Sequence, residues 1–298
     1  MYIAFLVILF FVGIIGQAFK VVPNNFFKKI NRFIIYIPLP AIALTKIPQL
    51  HIDKQVILPI LSVWIIFFVA ILFFYLIGKY LKLSKATIAC LVLSCGLGNT
   101  SFVGFPVLTQ LYGSDSLQYA IFLDQPGSFL VMSSLGILVA SYASTGIFNI
   151  QTIFRKLFTF PPFLCFLIAL IIPKNFFNVS INQILEAIGS IMIPLAMLSL
   201  GLQFKLEFKN TPWRNFAIGV SYKLILAPLL IYLIYFVILG QDTYINKIAV
   251  METAMPPMIT SSIIASEYGL DEELAGVLPT LGIILSIPSL AGWYYFLG

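Results

Sequence analysis

The sequence predicts an all-α membrane protein of about ten transmembrane helices. Of its 298 residues, 60% are hydrophobic and only 9% are charged, whereas roughly a quarter of the residues in a soluble domain are charged. A chain with so few charges cannot cover a water-facing surface, so most of its surface must face lipid. The apolar residues also fall into runs of about 20, the length that a helix needs to cross a bilayer.

The apolar runs divide the chain into ten predicted spans joined by short loops. The spans cover residues 2–19, 31–49, 56–80, 86–111, 117–142, 155–173, 182–203, 214–239, 244–267 and 273–297. The first run lacks the basic start and the small-residue cleavage site of a secretory signal peptide, so we interpret it as the first span. The loops leave no room for a soluble domain, and residues 1–298 are therefore predicted to form a single membrane domain.

The distribution of Lys and Arg predicts the orientation of these spans. With the N-terminus outside, thirteen of the seventeen basic residues fall on the cytoplasmic side, as the positive-inside rule requires. These are Lys20, Lys28, Lys29, Arg32, Lys79, Lys82, Lys85, Arg155, Lys156, Lys205, Lys209, Arg214 and Lys223. We therefore predict a multi-pass protein of the cell (inner or plasma) membrane with both termini extracytoplasmic. The basic residues follow the loops rather than one face, so nucleic acid is not an expected partner.

Two short sequence matches at one spacing indicate an internal repeat. Ile35–Leu39 resembles Ile191–Leu195, and Tyr112–Asp115 resembles Tyr268–Asp271, both at an offset of 156 residues. Each half then holds five spans, and because five is odd the second half enters the membrane from the opposite side. The sequence therefore predicts two inverted five-helix repeats, residues 1–147 and 152–298, an arrangement typical of secondary transporters.

The fourth and ninth spans, which correspond in the two repeats, are both interrupted. Glycines and polar residues surround Asn99 in the fourth span, and Pro256 and Pro257 lie in the middle of the ninth. Proline removes a backbone donor and breaks a helix, and such breaks occur where protein or a water-filled cavity satisfies the freed groups. Half-helix N-termini attract anions and half-helix C-termini attract cations. We predict a substrate or ion site at these breaks; a kink that serves only packing is the alternative.

The interrupted spans also carry a family resemblance. Asn99–Pro106 is similar to the fourth-span motif of the auxin efflux carrier family. Met255–Pro257, with Ala265–Gly269 and Asp271, resembles the ninth-span motif. The resemblance also includes Gly13–Lys20, Asn31–Phe33 and Tyr36–Ala41. More distantly, the chain resembles the bile-acid:sodium symporter fold. The resemblance covers nearly the whole chain.

The resemblance implies an architecture and a motion. Broken helices 4 and 9 cross, and the substrate lies beside the crossing. Helices 1, 2, 6 and 7 form a scaffold that is expected to make a homodimer, and helices 3–5 and 8–10 form a transport unit with elevator-like motion. The chain differs from the plant auxin carriers because it lacks their long central loop and has Met255 where an Asn would mirror Asn99.

Three charged residues inside predicted spans are further candidates. Asp124 lies in the fifth span and Glu252 in the ninth, where an acid costs about 2.5–3.5 kcal/mol on insertion scales. Either acid is a candidate proton carrier, or alternatively a capping or snorkelling acid. Lys223, near the start of the eighth span, either snorkels to the cytoplasmic interface, pairs with an acid or attracts an anionic substrate. The predicted substrate- or ion-binding residues are Asn99, Thr100, Ser101, Gly104, Pro106, Asp124, Gln125, Glu252, Met255, Pro256, Pro257 and Thr260.

These features favour a secondary active transporter of a small organic anion, such as a mono- or dicarboxylate or an auxin-like acid. Transport is expected to proceed by elevator-type alternating access, coupled to H⁺ or Na⁺, with no other cofactor and no metal centre. An intramembrane serine protease needs a His, and His51, the only one, falls in a loop; a nucleotide-binding loop is also absent from the sequence. A channel or membrane sensor with the same fold is the alternative, although a channel requires a continuous polar pore.

Overall fold

The computed structural model describes residues 2–23, 26–49, 54–146, 151, 158–159, 161–203 and 212–298. Across these ranges the regular structure is helical, apart from a single isolated β-bridge. Six helical stretches are long and apolar enough to cross a membrane: Lys29–Gln49, Pro59–Tyr80, Ser116–Thr145, Val179–Leu202, Trp213–Ile238 and Glu272–Leu297. The all-helical membrane class is therefore confirmed, while the ten-span inverted repeat stays a prediction.

The α-helices are numbered here in chain order. They are α1 (Tyr2–Ala18), α2 (Phe26–Tyr36), α3 (Pro38–Lys46), α4 (Lys54–Tyr80), α5 (Lys85–Gly96), α6 (Phe105–Tyr112), α7 (Ser116–Leu123), α8 (Ile137–Thr145), α9 (Pro161–Ile171), α10 (Val179–Ser190), α11 (Met192–Gln203), α12 (Trp213–Ser221), α13 (Ala227–Tyr232), α14 (Tyr244–Thr253), α15 (Ile259–Glu267) and α16 (Glu272–Leu297). A short 3₁₀ turn, Ile47–Gln49, follows α3.

Several predicted spans contain π-helical turns, which the sequence did not predict. These turns are Thr100–Gly104, Asp124–Phe129, Met132–Gly136, Tyr222–Leu226 and Leu233–Ile238. The fifth and eighth predicted spans are helical as expected, but each contains two of these wider turns. A π turn has i→i+5 hydrogen bonds and thus contains one more residue than an α-helical turn, so it changes the direction of the side chains that follow it. Such turns occur often at functional sites.

The chain divides into two compact units. The first comprises residues 1–51, 101–125 and 157–206, and the second comprises residues 52–100, 126–156 and 207–298. The predicted division into scaffold helices 1, 2, 6 and 7 and transport helices 3–5 and 8–10 stays a prediction, as do the repeat boundaries. The predicted start of the sixth span and His51 lie outside the described residues.

The first unit is built around close helix pairs. Helix α1 packs along α11 at Gly13 and Gly201, where an added Cβ would collide with the backbone of the opposite helix. Ser199 on α11 also donates a hydrogen bond to the side chain of Asn31 on α2. Small residues at such contacts let helix backbones approach each other, which is how apolar helices gain packing energy in lipid.

The second unit contains the longest helices. Helix α4 has 27 residues, which at 1.5 Å per residue gives about 40 Å, enough to cross a bilayer. It is tied to the eighth predicted span by buried hydroxyl contacts, including one of 2.8 Å between Ser62 and Tyr235. Helices α5, α15 and α16 pack against one another. Thr87 on α5 donates to Asp271 at 2.9 Å, and Asp271 caps the start of α16, so the two helix starts are joined.

Candidate functional site

The two predicted breaks meet each other within the second unit. Helix α5 ends at Gly96 and the next residue, Leu97, is extended. Helix α14 ends at Thr253, and Ala254 closes its last turn before the chain leaves the helix. We call residues 97–99 and 254–258 the crossover. Its two strands run antiparallel, with a bridge between Gly98 and Pro257 and a 2.8 Å hydrogen bond from the Asn99 amide to the Pro256 carbonyl. The backbone groups freed by the breaks therefore satisfy each other inside the protein.

A further pair of contacts fixes the start of α15 against the end of α5. The Met258 amide donates to the Ser94 carbonyl at 3.0 Å. The Ser262 hydroxyl donates to the Ser94 hydroxyl at 2.9 Å, and both side chains are buried. Two hydrogen bonds thus join the C-terminal end of α5 to the N-terminal end of α15.

Lys223 places a positive charge at the crossover. Its side chain is fully buried, and its ammonium group donates to the carbonyl of Thr253, the last residue of α14, at 2.9 Å. The same nitrogen lies 3.1 Å from the position that a Cβ on Gly98 would occupy. The structure contradicts the snorkelling interpretation: the carbonyl end of a helix carries partial negative charge, and it attracts this lysine to the crossover.

Glu252 supplies the counter-charge to this lysine. It lies in the last turn of α14, is 2% exposed, and interacts electrostatically with Lys223. A lone ion in a low-dielectric interior is costly, and an opposite charge reduces that cost. The structure therefore favours a buried position for Glu252, within electrostatic reach of Lys223, over the capping or snorkelling alternative.

Asn99 presents a hydrogen-bond donor without a partner at the same place. It is 3% exposed, and its side-chain Nδ2 atom makes no hydrogen bond within the described residues. Its backbone amide holds the crossover, so the side chain cannot move far from it. A buried amide donor of this kind is expected to be satisfied by water or by a ligand acceptor.

The N-terminus of α15 adds further donors. Its N-cap, Met258, makes no side-chain cap, and the amides of the first turn have no acceptor within the helix. The side chains of Met258 and Thr260 are partly exposed, whereas Met255, Pro256 and Pro257 are buried. Helix N-termini bind anions because their amides and dipole are oriented toward the ligand.

Packing of the prolines depends on a glycine of α16. A Cβ added to Gly282 would lie 2.6 Å from the Pro257 Cδ atom, closer than real Cβ contacts allow. The crossover strand and α16 therefore approach each other only because residue 282 is glycine.

The remaining candidates from the fourth span are buried. Thr100 is the first residue of a π turn, Gly104 is its last residue, and Pro106 lies in the first turn of α6.

Three of the predicted site residues form a separate cluster in the first unit. Ser101 donates to the Asp124 carboxylate at 3.1 Å, and the Gln125 side-chain nitrogen donates to the same Oδ2 atom at 2.7 Å. Asp124 and Gln125 are 2% and 1% exposed. Asp124 is therefore a buried, hydrogen-bonded carboxyl rather than a snorkelling acid.

Comparison with known sequences identifies the family. The sequence profile described as membrane transport protein matches residues 1–294. The chain belongs to this family. Among its relatives is an uncharacterized transporter of Methanocaldococcus jannaschii, 28% identical over 303 residues that cover 96% of this chain and 95% of the relative. Auxin efflux carrier component 5 of Arabidopsis thaliana is 26% identical over 242 residues, 67% of this chain and 68% of the relative.

Membership in the membrane transport protein family confirms the resemblance to the auxin efflux carriers. The family consists of transporters rather than enzymes, and with its apolar helices this member is a multi-pass membrane protein. An uncharacterized transporter of Methanothermobacter thermautotrophicus is also similar, at 26% identity over 290 residues, 96% of this chain and 94% of the relative.

Sequence reasoning missed several residues that build the site of this membrane transport protein. Lys223 was counted with the cytoplasmic loops, although it lies well inside the apolar stretch Trp213–Ile238, and this depth was the available signal. Gly98 and Gly282 are needed for close approach, and Ser94 and Ser262 join two half-helices. These roles depend on which elements meet, and no local sequence pattern records that.

Proposed function

We propose that this chain is a secondary transporter that carries a small organic anion across the cell membrane by elevator-type alternating access. The observation that carries the proposal is the crossover, where a buried lysine and an unpartnered Asn99 donor lie at the ends of broken helices. Mono- and dicarboxylates are the first candidate substrates. An auxin-like aromatic acid is another, since the name of the Arabidopsis relative states that it is an auxin efflux carrier.

The two kinds of helix end at the crossover have different requirements. The carbonyl end of α14 is already supplied with a cation, because Lys223 donates to Thr253. The amide end of α15 has no side-chain cap, and the Asn99 side chain adds a second donor. In the proposed carrier a substrate carboxylate binds at this amide end, while Lys223 holds the opposite end without an inorganic cation.

The proposal predicts that Asn99→Ala abolishes most transport. A hydrogen bond to a charged group contributes about 1.5–3 kcal/mol, so loss of this donor should reduce uptake about 10-fold to 100-fold. The measurement is uptake of labelled mono- and dicarboxylates into proteoliposomes under imposed H⁺ and Na⁺ gradients.

Thr280→Ala is the matched control for that measurement. Among the described residues, the Thr280 hydroxyl bonds to the carbonyl of Gly276 in its own helix, at 3.0 Å, so its loss should leave uptake unchanged. Wild-type uptake by a folded Asn99→Ala variant would reject the proposed site. Large uncoupled currents without saturable uptake would indicate a channel instead of a carrier.

A further inference from the structure

In the cluster of Ser101, Asp124 and Gln125 in the first unit, the buried side-chain oxygen of Gln125 accepts no hydrogen bond from the described residues. The Gln125 nitrogen points at the Asp124 carboxylate, 2.7 Å from Oδ2. With the Asp124 carboxylate ionised, the reverse orientation of the amide would place its oxygen against a carboxylate oxygen, so the nitrogen faces Asp124. The Oε1 atom of Gln125 is thereby held beside the cluster, and it has no hydrogen-bond partner within the described residues. Its residue is 1% exposed, so bulk water does not supply the missing donor.

The backbone around this cluster provides further oxygen atoms. Ser101 lies in the π turn Thr100–Gly104, and the two other residues lie in the π turn Asp124–Phe129. Such turns are rare and occur often at functional sites. Residue 126 is proline, so it contributes no N–H to the carbonyl groups of the preceding turn. In discontinuous membrane helices, backbone carbonyls at irregular turns coordinate coupling ions.

We propose that Ser101, Asp124 and Gln125 bind a sodium ion. The available ligands are all oxygen atoms, from a hydroxyl, a carboxylate, a side-chain amide and backbone carbonyls, and hard cations prefer such ligands. The cluster contains one carboxylate, whose single negative charge matches a monovalent ion better than a divalent one. Within the described ranges, no group of three His, Cys, Asp or Glu side chains is placed to hold a metal ion.

The sodium site deepens the proposed function, since Na⁺ bound there serves as the coupling ion for the transported anion. Its existence can be tested without any knowledge of that anion. Asp124 contributes the charge, Gln125 contributes the unpartnered oxygen, and Ser101 orients the carboxylate through its hydrogen bond to Oδ2.

The experiment measures the thermal stability of the purified protein as NaCl replaces choline chloride or KCl at constant ionic strength. A ligand that binds only the folded state raises Tm in a saturable way, so Tm should rise with Na⁺ and not with choline or K⁺. Binding of ²²Na⁺ to the same sample should saturate at about one ion per chain. Asp124→Asn and Gln125→Leu should each lose the Na⁺-dependent shift.

Gln110→Leu is the matched control, because it makes the same substitution at an exposed glutamine of α6 in the same unit. It should keep the full shift. If the Tm of the wild-type protein shows no Na⁺-specific shift, the proposal is overturned, and this test does not depend on the folding of any variant. A Na⁺-specific shift that a folded Gln125→Leu variant retains would also overturn it. A stabilisation that follows pH instead of Na⁺ and is lost in Asp124→Asn would assign a proton to the site and also reject sodium.

The outcome separates this proposal from the proposed function. A Na⁺-dependent shift in a protein that transports no organic anion would keep the sodium site and reject the anion carrier. Uptake of an organic anion that is independent of Na⁺, together with no shift, would keep the carrier and reject the sodium site.

Discussion

At the scale of single residues, Lys223 and Asn99 show how far the sequence can be interpreted. The sequence predicts Asn99 as a site residue because it lies in an apolar span interrupted by glycines and a proline, which is a local pattern. The sequence allows three interpretations of Lys223, since a long side chain near a span end can reach water. Its actual position, bonded to Thr253 and near Glu252, depends on an acceptor from another helix. No pattern around residue 223 reveals that acceptor.

The electrostatic interaction between the buried Lys223 and Glu252 side chains predicts a non-additive double-mutant cycle. Lys223→Gln leaves the Glu252 charge and the Thr253 carbonyl without their cation, and breaking a buried pair costs about 3–5 kcal/mol. Glu252→Gln should be similarly destabilising, because it leaves the lysine charge buried. The double variant should be less destabilised than the sum of the two single variants. Thermal unfolding in detergent measures all four proteins, and additive effects would show that the two side chains do not interact.

At the scale of elements, the helix breaks were predictable and the π turns were not. Pro256 and Pro257 cannot donate backbone hydrogen bonds, so a break in the ninth span followed from residue type alone. The π turns at Asp124–Phe129 and Tyr222–Leu226 lie in spans whose apolar pattern is that of an ordinary helix. Their extra residue is stabilised by side-chain contacts with other elements, such as the bond from Ser101 to Asp124.

The contact between α16 and the crossover predicts that Gly282→Ala impairs transport. The new methyl group would lie 2.6 Å from the Pro257 Cδ atom, so the proline and its strand must move, at about 1–3 kcal/mol for an overpacked site. We expect a lower Tm and reduced uptake in the proteoliposome assay.

The control for this variant is Gly276→Ala on the same helix. A Cβ at Gly276 has no neighbour within 4 Å, and alanine has the higher helix propensity. It should therefore leave transport unchanged and not lower Tm. Equal behaviour of the two alanine variants would show that α16 does not constrain the crossover.

At the scale of the whole molecule, composition alone was enough to predict a multi-pass helical membrane protein, and membership in the membrane transport protein family agrees with it. The orientation still rests on loop charges. With Lys223 removed from the cytoplasmic tally, twelve basic residues remain inside against four outside, so the predicted direction is unchanged. The inverted repeat rests on two short sequence matches. Many apolar residues can fill the same position in a membrane span, so two spans with the same structure can have few identical residues.

The central claim is that a carboxylate binds where Asn99 and the N-terminus of α15 meet the crossover. A structure of the protein bound to an acid that it transports tests this claim most directly. We predict density for the carboxylate within about 3 Å of the Asn99 Nδ2 atom and of the first amides of α15, with Lys223 still bonded to Thr253. Density for the acid at a location that touches neither Asn99 nor α15 would contradict the account.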